Sequence, residues 1–169
     1  MKYAIVFDSK TGNTAQIATV IRNTLKQERC VSFGSKLPQE DVDVVFLGSW
    51  CDKGGLSDLM KKEAETLHHQ KVALFSTCGF GMDAAYFRTI ADHLKEQIPQ
   101  DNEIVASFVC QGKMSEAVLK RYEAMLEKEE TKQMAQHMIE NFHHAQSHPD
   151  AADEKQAEAF AMRVLAQVG

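Results

Sequence analysis

Short apolar runs alternate along the chain with longer segments in which apolar residues recur every three or four positions. Five runs have the length and composition of β-strands, at 3–7, 29–33, 42–47, 71–76 and 104–110. Four of these runs lead into an amphipathic segment of helical period. The pattern predicts an α/β fold, a doubly wound five-stranded parallel sheet with right-handed crossovers and helices on both faces.

The helical segments carry signals for their ends. Ser57 is predicted to cap the second helix, and Pro99 to end the third. After the fifth strand, segment 115–143 forms either two helices or one bent helix. Asp153 is predicted to cap a last helix over 152–168. We therefore expect one domain, 1–169, in which 115–147 is a helical insertion before the last helix.

Composition narrows the class of protein. A chain of 169 residues, 44% apolar and 25% charged, can fill one core but is short for two ordinary domains. No run is long enough for a signal peptide or a membrane span, so a cytoplasmic location without a membrane partner is expected. The net charge of −5 resides mostly in 115–169, and nucleic acid, which favours a basic face, is not expected as a partner.

The loop after the first strand, Ser9-Lys10-Thr11-Gly12-Asn13-Thr14, is rich in hydroxyl groups and precedes an amphipathic helix. The first turn of a helix has free N–H groups and a positive dipole end, and this favours an anion. Hydroxyl and amide side chains add donors, and Gly12 permits a positive φ. The loop lacks a Gly-Lys-Ser/Thr ending and a G-x-G-x-x-G pattern, so a phosphate monoester fits better than a nucleoside triphosphate or a dinucleotide. The alternative is a loop that only caps the helix.

Two further glycine-rich loops leave the third and fourth strands, at 48–55 and from Thr77 onward. Parallel strands end at one edge of the sheet, and ligands bind there, at the point where strand order reverses. All three loops are therefore expected to converge. Trp50, the only Trp of the chain, is predicted to lie in the second loop and not on a buried strand.

The sequence resembles the flavodoxin family over roughly residues 2–112 and the last helix. The motifs are the 9–14 loop, similar to the family's FMN phosphate loop, Gly48-Ser49-Trp50, similar to its first flavin-stacking loop, and 76–81, at the position of its second. The resemblance implies the strand order 2-1-3-4-5 and FMN as the cofactor, with Trp50 on one face of the flavin. The alternative for Trp50 is a side chain that packs its loop onto the core. Phe80 is expected on the other face, with Tyr86 or plain core packing as alternatives.

The loop chemistry and the resemblance together predict one set of cofactor-binding residues. These are Ser9, Lys10, Thr11, Gly12, Asn13, Thr14, Ser49, Trp50, Cys51, Asp52, Gly54, Thr77, Cys78, Gly79, Phe80 and Gly81. Asp52 either lowers the flavin's potential or is simply solvated. Gly79 and Gly81 would let backbone amides approach the pyrimidine edge of the ring.

The function implied is that of a monomeric electron carrier without catalytic residues. It would take electrons from a flavin-reducing partner and deliver them to a redox enzyme, which can be a dedicated reductase. An NAD(P)H-dependent flavin or quinone reductase is the second hypothesis, and a flavin-free interaction module is the third. Typical members of the family are strongly acidic around the flavin, whereas segment 1–114 is nearly neutral here. They also have a short link before the last helix, and the insertion 115–147 is either a docking surface or extra cover for the sheet.

Other side chains suggest chemistry only weakly. Four cysteines without C-x-x-C spacing indicate neither zinc nor a dithiol motif, and Cys51 and Cys78 are either inert packing or redox-sensitive thiols. The histidines 137, 144 and 148 lack a carboxylate at matched spacing, so no metal is predicted. Met134 and Met138 are predicted to be core residues, with a docking surface as the alternative.

Overall fold

The computed structural model of the chain describes residues 1–81 and 83–169. Five strands form one parallel sheet in the order β2-β1-β3-β4-β5, and this confirms the predicted fold class. The strands are β1 Lys2–Asp8, β2 Arg29–Gly34, β3 Val44–Trp50, β4 Lys71–Cys78 and β5 Glu103–Gln111. The helices are α1 Asn13–Thr24, α2 Asp58–Ala64, α3 Ala84–Glu96, α4 Glu116–Met125, α5 Glu129–Ala145 and α6 Ala151–Val168.

The sheet is covered on both faces because side chains alternate along each strand. On one face, Phe46 and Phe108 pack with Phe160 of α6 and with the apolar side of α1. On the other face, Leu47 and Leu74 pack against α2 and α3. Both clusters are buried, so the central strands have apolar neighbours above and below, as their continuous apolar sequence predicts.

Strand β3 continues through Gly48 and Ser49 to Trp50, so the prediction of a loop beginning at Gly48 is wrong. Ser49 pairs with Ser76 and Trp50 with Thr77 in the parallel ladder to β4. Gly48 is needed within the strand, because a Cβ atom there would lie 2.1 Å from the ring of Phe75. The glycine makes room for an aromatic ring and does not end the strand.

The helical insertion consists of two separate helices, α4 and α5, joined by a short turn. The last helix begins at Ala151, one residue before its predicted start, and its cap lies three residues before the predicted one. Asp150, not Asp153, is the N-cap, and the two residues form a capping box. Asp153 at the third helical position accepts a hydrogen bond from the Asp150 N–H at 2.8 Å.

Met134 is 53% exposed, so the prediction that it belongs to the core is wrong. No helix within the described residues has the length and apolar character needed to cross a membrane.

Candidate functional site

A cavity of about 470 Å³ opens at the carboxyl edge of the sheet. Most of the predicted site residues line it, which brings the three loops together at this edge. The predicted residues in the lining are Lys10, Thr11, Asn13, Trp50, Cys51, Gly54, Thr77, Cys78, Gly79 and Phe80. The predicted residues outside the lining are Ser9, Gly12, Thr14, Ser49, Asp52 and Gly81.

Three predicted site residues outside the lining, Ser9, Gly12 and Thr14, stabilise the conformation of the first loop. Gly12 has φ +92° at the N-cap of α1, where a side chain would be strained. The Ser9 hydroxyl accepts a hydrogen bond from the Ala15 N–H at 3.1 Å and so caps this helix from outside. The hydroxyl groups of Thr14 and Thr77 are 2.8 Å apart, and Thr14 is fully buried. These contacts fix the phosphate-loop candidate onto the end of β4.

Ser49 is also fully buried, and its hydroxyl is used inside the protein. Its Oγ donates to the Trp50 carbonyl at 2.7 Å and accepts from the Ser57 N–H at 2.9 Å. Ser57 in turn caps α2, as predicted, by accepting from the Met60 N–H. Ser49 thus links the end of β3 to the start of α2.

Asn13 connects the first loop to the segment after β5. Its Nδ2 donates to the Thr11 hydroxyl at 3.0 Å and to the Lys113 carbonyl at 2.8 Å. Its Oδ1 is buried and has no hydrogen-bond partner among the described residues. A buried acceptor without a partner is costly, and a ligand hydroxyl group is a suitable donor for it.

Trp50 is half-buried at the end of β3 and lines the cavity. Its Nε1–H donates to Asp8 Oδ2 at 2.9 Å, which fixes the orientation of the indole. The Nζ of Lys10 lies 4.8 Å from the ring centroid, a cation–π distance. The indole is therefore held at the mouth of the cavity and not turned into the sheet.

The chain after Trp50 forms a tight turn at the cavity wall. Asp52 and Gly55 exchange two backbone hydrogen bonds of 3.0 Å. Lys53 and Gly54 between them both have positive φ, 51° and 83°, as in a type I′ hairpin turn. Asp52 takes part in this turn, and Lys53 and Gly54 border the cavity.

The opposite wall combines the loop after β4 with the insertion. Phe80 is 37% exposed, and its ring centroid lies 6.4 Å from that of Tyr122 on α4. Tyr86 also lines the cavity, and burial raises its pKa to about 12, so its phenol is neutral. The Gly79 carbonyl accepts from Gln111 Nε2 at 3.0 Å and from Asn141 Nδ2 at 2.9 Å. Helix α5, through Asn141, therefore holds the backbone of this loop.

Sequence reasoning did not identify several lining residues. These are Lys53, Lys113, Met114, Ser115, Val118, Arg121 and Tyr122. Lys53 lies within the predicted 48–55 loop, and the next three residues follow the end of β5, so the rule that ligands bind at this edge could have found them. The α4 residues gave no local signal, because their position depends on how the insertion folds back.

The lining is cationic. Lys10, Lys53, Lys113 and Arg121 are exposed at its rim, and no Asp or Glu of the described residues is in the lining. This local charge contrasts with the net charge of −5 for the whole chain. Such an arrangement attracts an anion or an acidic surface.

The late histidines do not form one cluster. His144 and His148 stack with centroids 5.3 Å apart, whereas His137 borders a separate groove beside Phe80 and Met134. His148 Nδ1 lies 2.6 Å from Asp153 Oδ2, the oxygen that also serves the capping box. The group of His148, Asp150 and Asp153 is thus accounted for as the start of α6.

A doubly wound sheet of this order, with a donor-rich first loop and with Trp50 at the end of β3 beside one ligand-sized cavity, defines a flavodoxin-like protein. The chain belongs to the flavodoxin family, since the family model described as "Flavodoxin domain" matches residues 4–162. It is similar to the flavodoxin-like domain-containing protein BilS of Clostridioides difficile (strain CD3), with 34% identity over 170 residues, 98% of this chain and 97% of the relative.

A second relative is BilS of Clostridium symbiosum (strain WAL-14163), 37% identical over 172 residues and 90% of each chain. Among solved structures, oxidised flavodoxin 1 from Bacillus cereus superposes with a TM-score of 0.62 at 15% identity, covering 100% of both chains. At that identity the likeness shows the shared fold.

Proposed function

We propose that this chain is an FMN-binding electron carrier that passes electrons from a reducing partner to a redox enzyme. The observation that carries the proposal is one cavity lined jointly by the α1 N-terminus, by Trp50, by the end of β4 at Thr77 and Cys78, and by the loop residues Gly79 and Phe80. Its volume of about 470 Å³ lies within the usual range of ligand sites, roughly 300–1,000 Å³. Family membership supports a flavin as the ligand.

The chain's residues fit the three parts of FMN. The Thr11 hydroxyl and the first N–H groups of α1 would hold the phosphate, with Lys10 and Lys113 nearby. The unpartnered Asn13 Oδ1 would accept a hydrogen bond from a ribityl hydroxyl. Trp50 and Phe80 would lie against the ring, where each aromatic contact adds about 0.5–1.5 kcal/mol beyond area burial. Bound FMN would supply the electron chemistry, and the protein would set its orientation and its access to water.

The cationic rim supports a partner of a particular kind. Lys53, Lys113 and Arg121 surround the opening through which electrons would pass. A partner with an acidic patch would be steered to this opening, and the steering would weaken as salt is added. The exposed Phe80 and Met134 give an apolar contact beside the charged rim. A dedicated reductase with these properties fits the surface.

The test is a titration of the flavin-free protein with FMN, followed by tryptophan fluorescence. Since Trp50 is the only Trp, its emission reports this cavity alone. We expect saturable quenching at one equivalent of FMN and much weaker binding of riboflavin, which lacks the phosphate. Trp50→Phe is the spectroscopic control, with binding then followed by flavin fluorescence. Absence of binding would contradict the proposal and favour the interaction module, whereas equal affinity for both flavins would contradict the phosphate site at the start of α1.

A second candidate function, an NAD(P)H-dependent reductase, is favoured by the same cations, which match the phosphates of a nicotinamide dinucleotide. It is distinguished by adding NADPH to the FMN-loaded protein without oxygen. Rapid bleaching of the flavin and turnover with a quinone would favour the reductase. A flavin that NADPH leaves oxidised, but that a reducing protein partner bleaches, favours the carrier.

A further inference from the structure

Two cysteines at the cavity, Cys51 and Cys78, are neighbours across adjacent strands. Trp50 pairs with Thr77 in the β3–β4 ladder, and the Cys51 N–H continues it by donating to the Thr77 carbonyl at 3.0 Å. Adjacent parallel strands lie about 4.8 Å apart, inside the range of roughly 4.4–6.8 Å that disulfide Cα atoms span. Both cysteines line the cavity, and both pack into the apolar cluster under α2 and α3.

The two thiols differ in exposure and in acidity. Cys51 is half-buried at the cavity wall, whereas Cys78 is 1% exposed. The pKa of Cys51 is lowered, first by a hydrogen bond with the Cys78 thiol and further by the Gly54 backbone. The same hydrogen bond, followed by burial, raises the pKa of Cys78. Cys51 is therefore the better nucleophile, and the buried Cys78 is placed to react with it.

The other two cysteines belong to a different part of the molecule. Cys110 and Cys30 both pack in the cluster on the opposite face of the sheet, against α1 and α6. The sheet therefore separates their thiols from the Cys51–Cys78 pair. They serve as internal controls, because any reagent that reacts by general exposure should also find Cys30, which is not fully buried.

We propose that Cys51 and Cys78 are a redox-active dithiol that closes to a disulfide by exchange with a small anionic disulfide entering the cavity. The Cys51 thiolate attacks one sulfur of that disulfide and releases one thiolate, which takes up a proton. The Cys78 thiol then loses its proton, attacks the Cys51 sulfur and releases the second thiol. Two protein thiols are oxidised, one disulfide is reduced to two thiols, and the protein loses two hydrogen atoms. The cationic rim favours a reagent with carboxylates.

The dithiol goes beyond the proposed function, and its test needs no flavin. Reduced, flavin-free protein is incubated with oxidised glutathione and analysed by intact mass, thiol titration and peptide mapping. We expect loss of two of the four thiols, a mass lower by two hydrogens, and one linked peptide pair containing Cys51 and Cys78. Mild reductant should restore the original mass.

The variants separate the two roles. Cys78→Ser should retain glutathione on Cys51 as a stable adduct, and Cys51→Ser should not react. Cys30→Ser and Cys110→Ala should behave as wild type. Since Cys78 is buried, Cys78→Ala is made in parallel, and urea unfolding checks that each variant is folded. If both Cys78 variants unfold, peptide mapping of the oxidised wild-type protein decides whether Cys51 and Cys78 form the disulfide.

Any of three results would overturn the proposal: a stable adduct on wild-type Cys51, a disulfide that includes Cys30 or Cys110, or four thiols that remain reduced. These outcomes are distinguishable from failure of the FMN titration, because the two experiments share neither the added ligand nor the readout.

Discussion

Gly48 shows how one residue without a side chain supports the site. It lies inside β3, and a Cβ atom would come within 2.1–2.6 Å of ring atoms of Phe75, which is fully buried. Close-packed cores do not absorb such contacts without moving. The position of the strand end at Trp50 therefore depends on a glycine that sequence reasoning read as the start of a loop.

Gly48→Ala is expected to lower the free energy of unfolding by about 1–3 kcal/mol, the usual cost of overpacking. Gly34→Ala is the matched control at the end of β2, since a Cβ there meets no atom within 4 Å. Its effect should stay within about 0.5 kcal/mol. Urea unfolding of both variants measures the difference, and equal stabilities would show that Phe75 moves aside freely.

Residues were predictable where local chemistry and position agreed. Thr11 and Phe80 lie on loops that leave parallel strands, Trp50 is the last residue of β3, and the structure brings all three to one cavity. The hydrogen bonds of Asn13 to Lys113 and of Thr14 to Thr77 join residues far apart in the chain. Such pairings depend on the register of the sheet and were not readable from the loop alone.

At the scale of elements, helix caps decide where α2 and α6 begin. Ser57 accepts from the Met60 N–H at 3.3 Å, whereas Ser115, at the N-cap of α4, makes no side-chain cap hydrogen bond. The two serines therefore form a matched pair in which only one side chain serves the helix.

Ser57→Ala should lower the free energy of unfolding by about 1 kcal/mol, because one N–H of α2 loses its acceptor in a buried site. Ser115→Ala should change it by less than about 0.5 kcal/mol. Chemical denaturation of the two variants checks this order, and a larger loss for Ser115→Ala would contradict it.

The capping box of α6 should make stability depend on pH. The pKa of Asp150 lies below its ordinary value of 3.8, first because the Asp153 N–H donates to it, and His148 contributes. A lowered native pKa adds stability that is present above the unfolded value and is lost as the pH falls through the native one.

Asp150→Asn keeps a good cap but removes this titration. The stability advantage of wild type over Asp150→Asn should therefore be full well above the ordinary pKa of 3.8 and shrink as the pH falls through and below it. Urea midpoints measured on both sides of this value give the answer. An advantage that grows towards acid would have the wrong sign and would contradict the assignment.

Elements were the most predictable level of this protein. Apolar periodicity located all five strands and the helices between them, since both faces of the sheet are covered. The errors lie at ends, where Gly48 and Asp153 were misread. Whether 115–143 forms one helix or two depended on the turn between α4 and α5, for which the sequence holds no glycine or proline.

At the scale of the molecule, positive side chains are concentrated at the cavity although the chain as a whole is acidic. The chain is acidic overall, yet Lys10, Lys53, Lys113 and Arg121 gather at one cavity from four different segments. No sequence window shows this patch, because only folding brings the four cations together. The nearly neutral balance of 1–114 conceals a local positive field.

Lys113→Met and Arg121→Met are each expected to weaken FMN binding about two- to fivefold at low salt, as for exposed charge interactions of up to about 1 kcal/mol. The loss should diminish with added salt. Riboflavin, which carries no phosphate, should bind both variants and wild type alike. Lys155→Met, on α6 and outside the lining, is the control, and a comparable loss there would exclude a local effect.

The Gly79 carbonyl accepts side-chain amide hydrogen bonds from Gln111 of β5 and from Asn141 of α5. The helical hairpin formed by α4 and α5 therefore supports one wall of the cavity. Excising that hairpin would leave the peptide at Gly79 with one tether and remove Tyr122 from beside Phe80. A partner protein that binds the outer surface of α4 and α5 would therefore contact elements that form one wall of the cavity.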